Sequence, residues 1–533
     1  MIEMDEMKGR GKRGLLRVVF GRTMFFLLFI ALQLAFFFWI YVWLDNKYQA
    51  WGYGSFALIS AILTIHILNE KQNASFKMAW LIPVLLFPVF GTLFYVFVQL
   101  QMETKIFAKR IAEVQKRTDH FLEQDTAVYE RLSRRSRRNA NLSHYMKKSG
   151  GYPTWDRTNF KYFPLGDEFY TDVLQELQKA RRYIFVEYFI ISKGILWDSI
   201  LKILEQKAKE GVEVRILYDG MNSFSNLPHD YPKELEAKGI RCRIFNPIRP
   251  AISTSQNNRD HRKILVIDGH TAYTGGVNLA DEYINRKVRF GHWKDNAIRL
   301  KGEAVKNFTV MFLQMWDVCS KKPDSDFDYS PYLDTGDYFH SPELDMDGFS
   351  IPFSDSPIDG EAVGHQLYLD IIYQAKKYVY IMTPYLVLDD DMITALTYAA
   401  KRGVDTVIIM PHIPDKKSAF MLAHSYYTEL IEAGVKIYEY LPGFVHSKTF
   451  VSDGEKAVVG SVNMDFRSQY LNFECGVYIY ENPVVEQIKK DFYGNRIVMF
   501  APLYLSNYCV NGCTYCPYHA VNRTIPRKKL TQE

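Results

Sequence analysis

The sequence of 533 residues predicts an α/β protein built from two similar halves and preceded by transmembrane helices. Three observations lead to this prediction: long uncharged runs near the N-terminus, an alternation of helical and β-branched segments, and the return of that alternation later in the chain. The predicted parts are a membrane region, a basic juxtamembrane linker, a first half, a second half and a C-terminal tail; they cover residues 1–104, 105–150, 151–340, 341–495 and 496–533.

Three apolar runs in the membrane region are predicted to span a bilayer, near residues 24–44, 52–68 and 78–100. The first run holds 21 residues without a charge, which is long enough to cross the hydrocarbon layer. The third run is interrupted by Pro83 and Pro88, and the second is shorter and more polar. Several runs without a small-residue cleavage site argue against a secretory signal. We therefore expect a multi-pass protein of the cell membrane.

Basic residues flank the apolar runs on both sides, which leaves the topology open. Lysines and arginines stand between residues 8 and 22, and arginines stand between residues 131 and 138. The positive-inside rule would place both segments in the cytoplasm, which requires an even number of crossings. Three crossings would break that rule, so either one run is re-entrant or the N-terminus lies outside. We expect the catalytic part of the chain in the cytoplasm.

The two halves repeat the same segments in the same order. Each repeated segment carries the end of a helix followed by a basic pair or a glycine and then an apolar strand. The matching segments are residues 180–190 and 375–386, residues 207–220 and 398–411, and residues 235–245 and 430–440. This order predicts two α/β units with parallel or mixed sheets that face each other across one cleft.

Each half also carries the pattern H-x-K-x4-D followed by a Gly/Ser-Asn element. The first copy consists of His261, Lys263, Asp268 and Asn278, and the second of His446, Lys448, Asp453 and Asn463. On a strand, residues i and i+2 point to one face, so each histidine and its lysine can reach the same cleft. One copy alone is as well explained by a hydrogen-bonded core histidine, but two matched copies are not.

These residue types suit phosphoryl transfer through a covalent phosphohistidine, with no metal. A histidine can accept the transferred group or move protons near neutral pH. A lysine can stabilise the negative charge of a phosphodiester oxygen, and an asparagine adds a neutral donor. A carboxylate beside an imidazole can hold its tautomer and stabilise its cationic form.

The repeated motif, with its trailing GGVN and GSVN elements, resembles the phospholipase D superfamily and, within it, the bacterial cardiolipin synthase family, from about residue 24 to about residue 490. The resemblance implies transphosphatidylation: a histidine attacks one phosphatidylglycerol, glycerol leaves, and the hydroxyl of a second phosphatidylglycerol takes the phosphatidyl group. It favours His261 as the nucleophile and His446 as the general acid and base. It also implies that the lysines and asparagines of the motifs hold the phosphate and that Asp295 and Glu474 can orient the histidines.

The expected partners are phosphatidylglycerol and other membrane lipids, not nucleic acid. A phospholipase D-type hydrolase or a phosphatidylserine synthase would differ only in the acceptor, which the spacing does not reveal. A nuclease would need a basic groove, yet residues 320–360 are acidic. A scaffold without activity would be expected to have lost one motif. The oligomeric state stays open.

The tail contains Cys509, Cys513 and Cys516 in the spacing C-x3-C-x2-C. Thiolates at this spacing can hold three irons of a four-iron cluster, and the segment resembles the cluster loop of radical S-adenosylmethionine enzymes of the hydrogenase-maturation tyrosine lyase type. That family needs a barrel after the loop, whereas this sequence stops at Glu533. We favour a chimeric reading frame over zinc binding with His519 or a true cluster site, and expect no metal and no cofactor.

Overall fold

A computed structural model describes residues 22–43, 46–70, 73–99, 102–222, 226–247, 257–320, 328–336, 338 and 347–493. The three cysteines of the tail and the basic residues before Arg22 lie outside this part of the chain, and so do many of the acidic residues between 320 and 346. The predicted boundary between the halves, at residue 340, also falls outside it, and the domain limits stay a prediction.

The helices of the described residues are α1 (Arg22–Trp43), α2 (Asn46–Asn69), α3 (Ala74–Leu86), α4 (Phe90–Gln99), α5 (Met102–Thr118), α6 (Thr126–Arg135), α7 (Arg137–Gly150), α8 (Gly166–Gln178), α9 (Ile195–Lys209), α10 (Tyr231–Glu236), α11 (Val305–Val318), α12 (Ser330–Leu333), α13 (Val363–Gln374), α14 (Asp390–Lys401), α15 (Lys417–Glu432), α16 (Phe466–Tyr470) and α17 (Val484–Tyr493).

The strands are β1 (Thr158–Phe163), β2 (Tyr183–Tyr188), β3 (Glu213–Asp219), β4 (Arg241–Phe245), β5 (Arg259–Asp260), β6 (Lys263–Ile267), β7 (Thr271–Gly275), β8 (His292–Lys294), β9 (Ala297–Gly302), β10 (Phe349–Asp355), β11 (Tyr378–Met382), β12 (Leu386–Val387), β13 (Asp405–Pro411), β14 (Lys436–Tyr440), β15 (Gly443–Val445), β16 (Thr449–Ser452), β17 (Lys456–Gly460), β18 (Met464–Asp465) and β19 (Asn472–Tyr480).

The apolar N-terminal region forms helices α1 to α4, and one predicted span needs correction. The third run does not form one helix, because α3 ends at Leu86 and α4 begins at Phe90. Pro88 lacks an amide hydrogen and disfavours helical geometry at the residue before it, which explains the break. Across the described stretches, none of the helices combines the length and apolarity that crossing a membrane requires. The three predicted spans are therefore not confirmed.

The N-terminal helices contact the α/β part of the chain at α16. The ring of Phe76 meets those of Phe466 and Tyr470 edge-on, at centroid distances of 6.0 and 5.8 Å. The side chain of Asn73, which also caps α3, lies 3.4 Å from the Tyr470 hydroxyl and 3.4 Å from Asp389 Oδ2. Helix α16 therefore joins the N-terminal helices to the rest of the molecule.

Two sheets repeat one topology, as the sequence predicts. The first has the order β1-β9-β7-β6-β2-β3-β4 and the second the order β10-β19-β17-β16-β11-β13-β14. In both, the last three strands are parallel to one another and the other neighbours are antiparallel. The three repeated segments supply β2 and β11, β3 and β13, and β4 and β14. The duplicated α/β architecture is confirmed.

Helix α11 packs between the sheets and explains why its sequence is apolar on almost every face. It contacts strands of both halves, including β6 and β10, and almost all of its side chains are buried. Phe312, for example, stacks on Phe185 of β2 at a centroid distance of 4.5 Å. A helix that is hydrophobic all round belongs inside a protein, and here it joins the two halves into one core.

Two short parallel strand pairs cross from one half to the other. Strand β5 of the first half pairs with β19 of the second, and β15 of the second half pairs with β8 of the first. Each pair ends beside one of the motif histidines, so the crossover strands place the histidines of both halves in the same region.

Candidate active site

The backbone of each motif histidine is fixed by the opposite half. His261 follows β5, and its amide donates to the carbonyl of Phe473 at 2.9 Å. His446 follows β15, and its amide donates to the carbonyl of Lys294 at 2.7 Å. Within each copy, the lysine Nζ donates to the carbonyl oxygen of its own histidine. The two motifs therefore meet, as the sequence predicts, but only by exchanging strands.

The imidazoles are held by carboxylates in the same crosswise manner. His261 Nδ1 lies 2.8 Å from Glu474 Oε2, and His446 Nδ1 lies 2.7 Å from Asp295 Oδ2. Both carboxylates are fully buried. Because an ionised carboxylate only accepts hydrogen bonds, each Nδ1 carries the proton, and the Nε2 lone pair is left for chemistry. The expected orienting role of Asp295 and Glu474 has a geometric basis, with each residue serving the histidine of the other half.

Burial sets the protonation of this cluster. It lowers the pKa of His261 to about 4 and that of His446 to about 3, against the opposing effect of their carboxylates. Burial alone would raise the pKa of Glu474 and of Asp295, but the facing histidine and the lysines outweigh it, so both values fall below their usual range. At neutral pH the site therefore holds neutral imidazoles, as a nucleophile requires, beside anionic carboxylates.

Burial also lowers the pKa of Lys263 to about 8 and that of Lys448 to about 7. The carboxylates Glu474 and Asp295 oppose this shift, because they favour the charged ammonium groups. An incoming phosphodiester anion would favour the protonated lysines further. The two lysines thus provide positive charge that a substrate phosphate can use.

The two carboxylates are supported differently. Glu474 accepts hydrogen bonds from the hydroxyls of Ser461 and Ser468, the latter at 2.6 Å. Asp295 instead packs against Gly276, where an added Cβ would lie 2.0 Å from Asp295 Oδ1. Gly276 and Ser461 occupy equivalent motif positions, so one half requires a glycine where the other uses a serine as donor. Sequence reasoning missed these roles, although the difference between GGVN and GSVN was visible.

The two asparagines reach the same space. Asn278 accepts from the Ile190 amide at 3.1 Å and donates to the Tyr283 hydroxyl at 2.9 Å. The side-chain oxygen of Asn463 is buried and has no hydrogen-bond partner among the described residues. Both asparagines border the cavity in which the histidines lie.

Asp268 and Asp453 lie elsewhere, which corrects their grouping with the chemical residues. Asp268 accepts from three consecutive backbone amides at the start of β2, at 2.8 to 2.9 Å, and Asp453 accepts from the equivalent amides before β11, at 2.7 to 3.0 Å. Both have positive φ angles, 52° and 56°. They stand at the far end of their strands, roughly 16 Å from the lysine of the motif. Their contacts fix a turn, and their distance from the cleft separates them from both imidazoles.

The histidines open into a cavity of about 800 Å³. Its wall combines aromatic rings with four cationic side chains and two carboxylates, Asp415 and Asp465. The excess of positive charge suits an anionic and partly apolar ligand. The aromatic members include Phe189, Tyr283, Phe290, Trp293, Tyr385, Phe444 and Phe466, and the cationic members are Arg259, Arg289, Lys416 and Arg467. The described residues contain no group of three or more His, Cys, Asp or Glu side chains placed to hold a metal ion.

Comparison with known proteins gives a consistent set of similarities. The family model described as "Cardiolipin synthase, PLD-like domain" matches residues 173–316 and 368–496, and one described as "Phospholipase D-nuclease N-terminal" matches residues 58–99. An uncharacterized protein of Streptococcus mutans is 47% identical over 80% of this chain and 91% of its own length. Cardiolipin synthases of Alkalihalophilus pseudofirmus and Geobacillus kaustophilus are each 35% identical, over 83% and 82% of this chain and 88% and 86% of their own lengths.

Proposed function

Because the chain belongs to the cardiolipin synthase family of phospholipase D-like proteins, we propose that it joins two phosphatidylglycerol molecules into cardiolipin and releases glycerol. One observation carries this proposal above all: two neutral histidines, each anchored through Nδ1 by a buried carboxylate, share one cavity with cationic walls. A covalent intermediate needs one imidazole as the nucleophile and a second group to move protons.

In the first step, Nε2 of His261 attacks the phosphorus of a phosphatidylglycerol, forming a P–N bond. The P–O bond to glycerol breaks, and the leaving oxygen takes a proton from His446. A bound phosphodiester favours the protonated form of His446 that this step needs, because it adds negative charge beside the imidazole. Asp295 stabilises the same cation through Nδ1.

In the second step, the neutral His446 removes a proton from the hydroxyl of a second phosphatidylglycerol. The resulting oxygen attacks phosphorus, the P–N bond breaks, and His261 is regenerated. Lys263 and Lys448 stabilise the negative charge that the phosphoryl oxygens carry in both transition states. Asn278 and Asn463 border the same cavity and complete the set of groups that we assign to the phosphate.

We further propose that α1 to α4 hold the protein at the membrane with the catalytic halves on the cytoplasmic side. The support is the large set of exposed apolar side chains on these helices, among them Phe38, Trp51 and Leu58. Exposed apolar surface of this extent marks an interaction with lipid or protein. Protease treatment of sealed vesicles tests the sidedness. The α/β part must be cleaved in vesicles whose cytoplasmic face is outward and protected in vesicles whose cytoplasmic face is inward.

The function is tested with full-length protein reconstituted into vesicles and given phosphatidylglycerol alone. We expect cardiolipin and glycerol in equal amounts. Phosphatidic acid as the main product would contradict the proposal and indicate a hydrolase, and phosphatidylserine formed on addition of an activated phosphatidyl donor and serine would indicate a different acceptor.

The assignment of the histidines needs a separate test. His261→Ala is expected to abolish the covalent phosphatidyl-enzyme, whereas His446→Ala is expected to accumulate it or to form it slowly. An undiminished adduct in His261→Ala would reverse the two roles.

A further inference from the structure

Exposed apolar side chains from three separate loops lie next to residues that line the catalytic cavity. Val288, Leu441 and Ile413 are 82%, 71% and 38% exposed. We call these three residues the mouth surface. A cluster of large apolar side chains facing water costs free energy unless something covers it.

The mouth surface is continuous because its three segments are packed together. The backbone at Gly291, close to Val288, lies against the Pro442 carbonyl and the tip of the Ile413 side chain: a Cβ there would be 2.4 Å and 3.1 Å from these atoms. The amides of His412 and Ile413 both approach the carbonyl of Gly443, at 3.2 and 3.3 Å.

The mouth surface also adjoins the cavity directly. Phe290 and Asp415 line the cavity wall, and they stand two residues from Val288 and Ile413 in the sequence; Phe444, three residues after Leu441, lines it too. A molecule that leaves the cavity by this side therefore meets the mouth surface.

The charges around the mouth surface are predominantly basic. Arg286, Lys287 and Arg289 flank Val288 and are exposed. Lys416 precedes α15, Lys417 is its first residue, and both are exposed. Arg289 pairs with Glu282 at 3.1 Å, and Lys416 lies over the Tyr385 ring at 5.1 Å. Apolar side chains set among lysines and arginines match the two parts of an anionic lipid surface, the acyl layer and the headgroups.

Another part of the cavity wall contacts the N-terminal helices. Phe466 and Arg467 of α16 line the cavity, and Phe76 of α3 packs on Phe466. The N-terminal helices and the mouth surface therefore both adjoin residues of the same cavity. One lipid surface can contact both of them when the cavity opens toward it.

We propose that the mouth surface seats on an anionic bilayer, so that a phosphatidylglycerol headgroup enters the cavity while its acyl chains stay in the lipid. This proposal rests on the function proposed above and deepens it, since it names the surface that delivers the substrate. It requires no extraction of the lipid from the membrane. It also explains why apolar residues persist on three loops around a charged catalytic cavity.

The test compares two forms of one substrate, using full-length protein. One form is long-chain phosphatidylglycerol in vesicles, and the other is a short-chain phosphatidylglycerol below its critical micelle concentration. The variant is the double substitution Val288→Asp with Leu441→Asp, which places negative charge where the bilayer would lie. We expect turnover of the vesicle substrate to fall by about tenfold or more and turnover of the short-chain substrate to stay within about twofold, because only the vesicle substrate meets the surface.

The matched control is Ile195→Asp. Ile195 is 53% exposed and begins α9, a helix that contributes no residue to the cavity wall. An acidic residue in the first turn of a helix is well tolerated, and we expect no change with either substrate form.

Three results would overturn the proposal. Equal losses with both substrate forms would mean that the two residues act on the reaction itself, and no loss with either would mean that the surface carries no lipid contact. If the double variant changes the sedimentation of detergent-solubilised protein and leaves vesicle turnover intact, the surface binds a second copy of this chain. A wild-type protein that converts neither substrate form would instead contradict the proposed function, so the two failures are distinguishable.

Discussion

Replacing the two buried carboxylates one at a time tests whether each carboxylate acts on the histidine of the opposite half. Glu474→Gln and Asp295→Asn keep the shape of the side chain and remove its charge. Because Glu474 contacts His261 and Asp295 contacts His446, each substitution should impair the histidine of the opposite half. The variants should therefore fail at different steps.

The expected magnitude follows from the burial of these pairs. Each carboxylate is fully buried and 2.7 to 2.8 Å from its imidazole. Breaking a buried ion pair by removing one partner costs about 3–5 kcal/mol. In the transition state the imidazole carries positive charge, so this cost falls on the activation barrier. At about 1.4 kcal/mol for each tenfold change, turnover should fall by roughly two to nearly four orders of magnitude.

The assay measures single-turnover formation and decay of the phosphatidyl-enzyme in five variants. Glu474→Gln should slow the same step as His261→Ala, and Asp295→Asn should slow the same step as His446→Ala. Ser468→Ala, which removes one donor to Glu474, should give a milder form of the Glu474→Gln defect. If Glu474→Gln instead resembles His446→Ala, the crosswise pairing does not govern catalysis and the reasoning is refuted.

Three further predictions concern neighbouring residues. Asp268→Asn should lower the melting temperature by a few degrees, because a side-chain NH2 would face backbone amides, while activity per folded molecule is unchanged; lost activity at full stability would contradict this. Burial lowers the pKa of Lys448 to about 7, whereas in the unfolded chain the pKa is near 10.4. Lys448 therefore destabilises the folded state; this destabilisation is complete below about pH 7 and declines as the pH rises toward about 10.4. Lys448→Met should therefore abolish turnover yet raise the melting temperature at pH 6, and the gain should shrink as the pH rises; a gain that grows with pH would reverse the sign. Gly276→Ala should cut turnover by about a hundredfold or more, since its Cβ would displace Asp295, whereas Ser461→Ala should cost about tenfold; equal effects in steady-state assays would contradict the packing argument.

The sequence predicts the duplication well because local signals carry it. Helix ends, glycine stops and β-branched strands recur in one order, and strands formed from equivalent segments take equivalent places in the two sheets. The motif residues that share a strand face, such as His261 and Lys263, are predictable for the same reason.

The parts that the sequence does not reveal depend on contacts between distant segments. The family resemblance names Asp295 and Glu474 as carboxylates that can orient the histidines, but nothing near His261 indicates that its partner is Glu474, 213 residues later. Asp268 follows the histidine in the motif, so proximity in sequence suggests a shared role, but five further residues of strand carry it away from the site. The sequence marks Pro83, Pro88 and Gly91 as interruptions of the third apolar run but does not tell which of them ends a helix. In the structure Pro83 lies inside α3, and the break comes at Pro88.

The strand exchange between the halves has a consequence for how such a chain can arise. A single half holds a histidine without the carboxylate and the backbone acceptor that fix it, so it is incomplete as a catalyst. The exchange is reciprocal, however, and two identical copies could satisfy each other about a two-fold axis. Once two such copies are joined in one polypeptide, their sequences no longer have to be identical. Glu474 in place of Asp295, and Ser461 in place of Gly276, are differences that this freedom permits. Under the proposed mechanism, such differences would let one histidine act as the nucleophile and the other as the proton carrier.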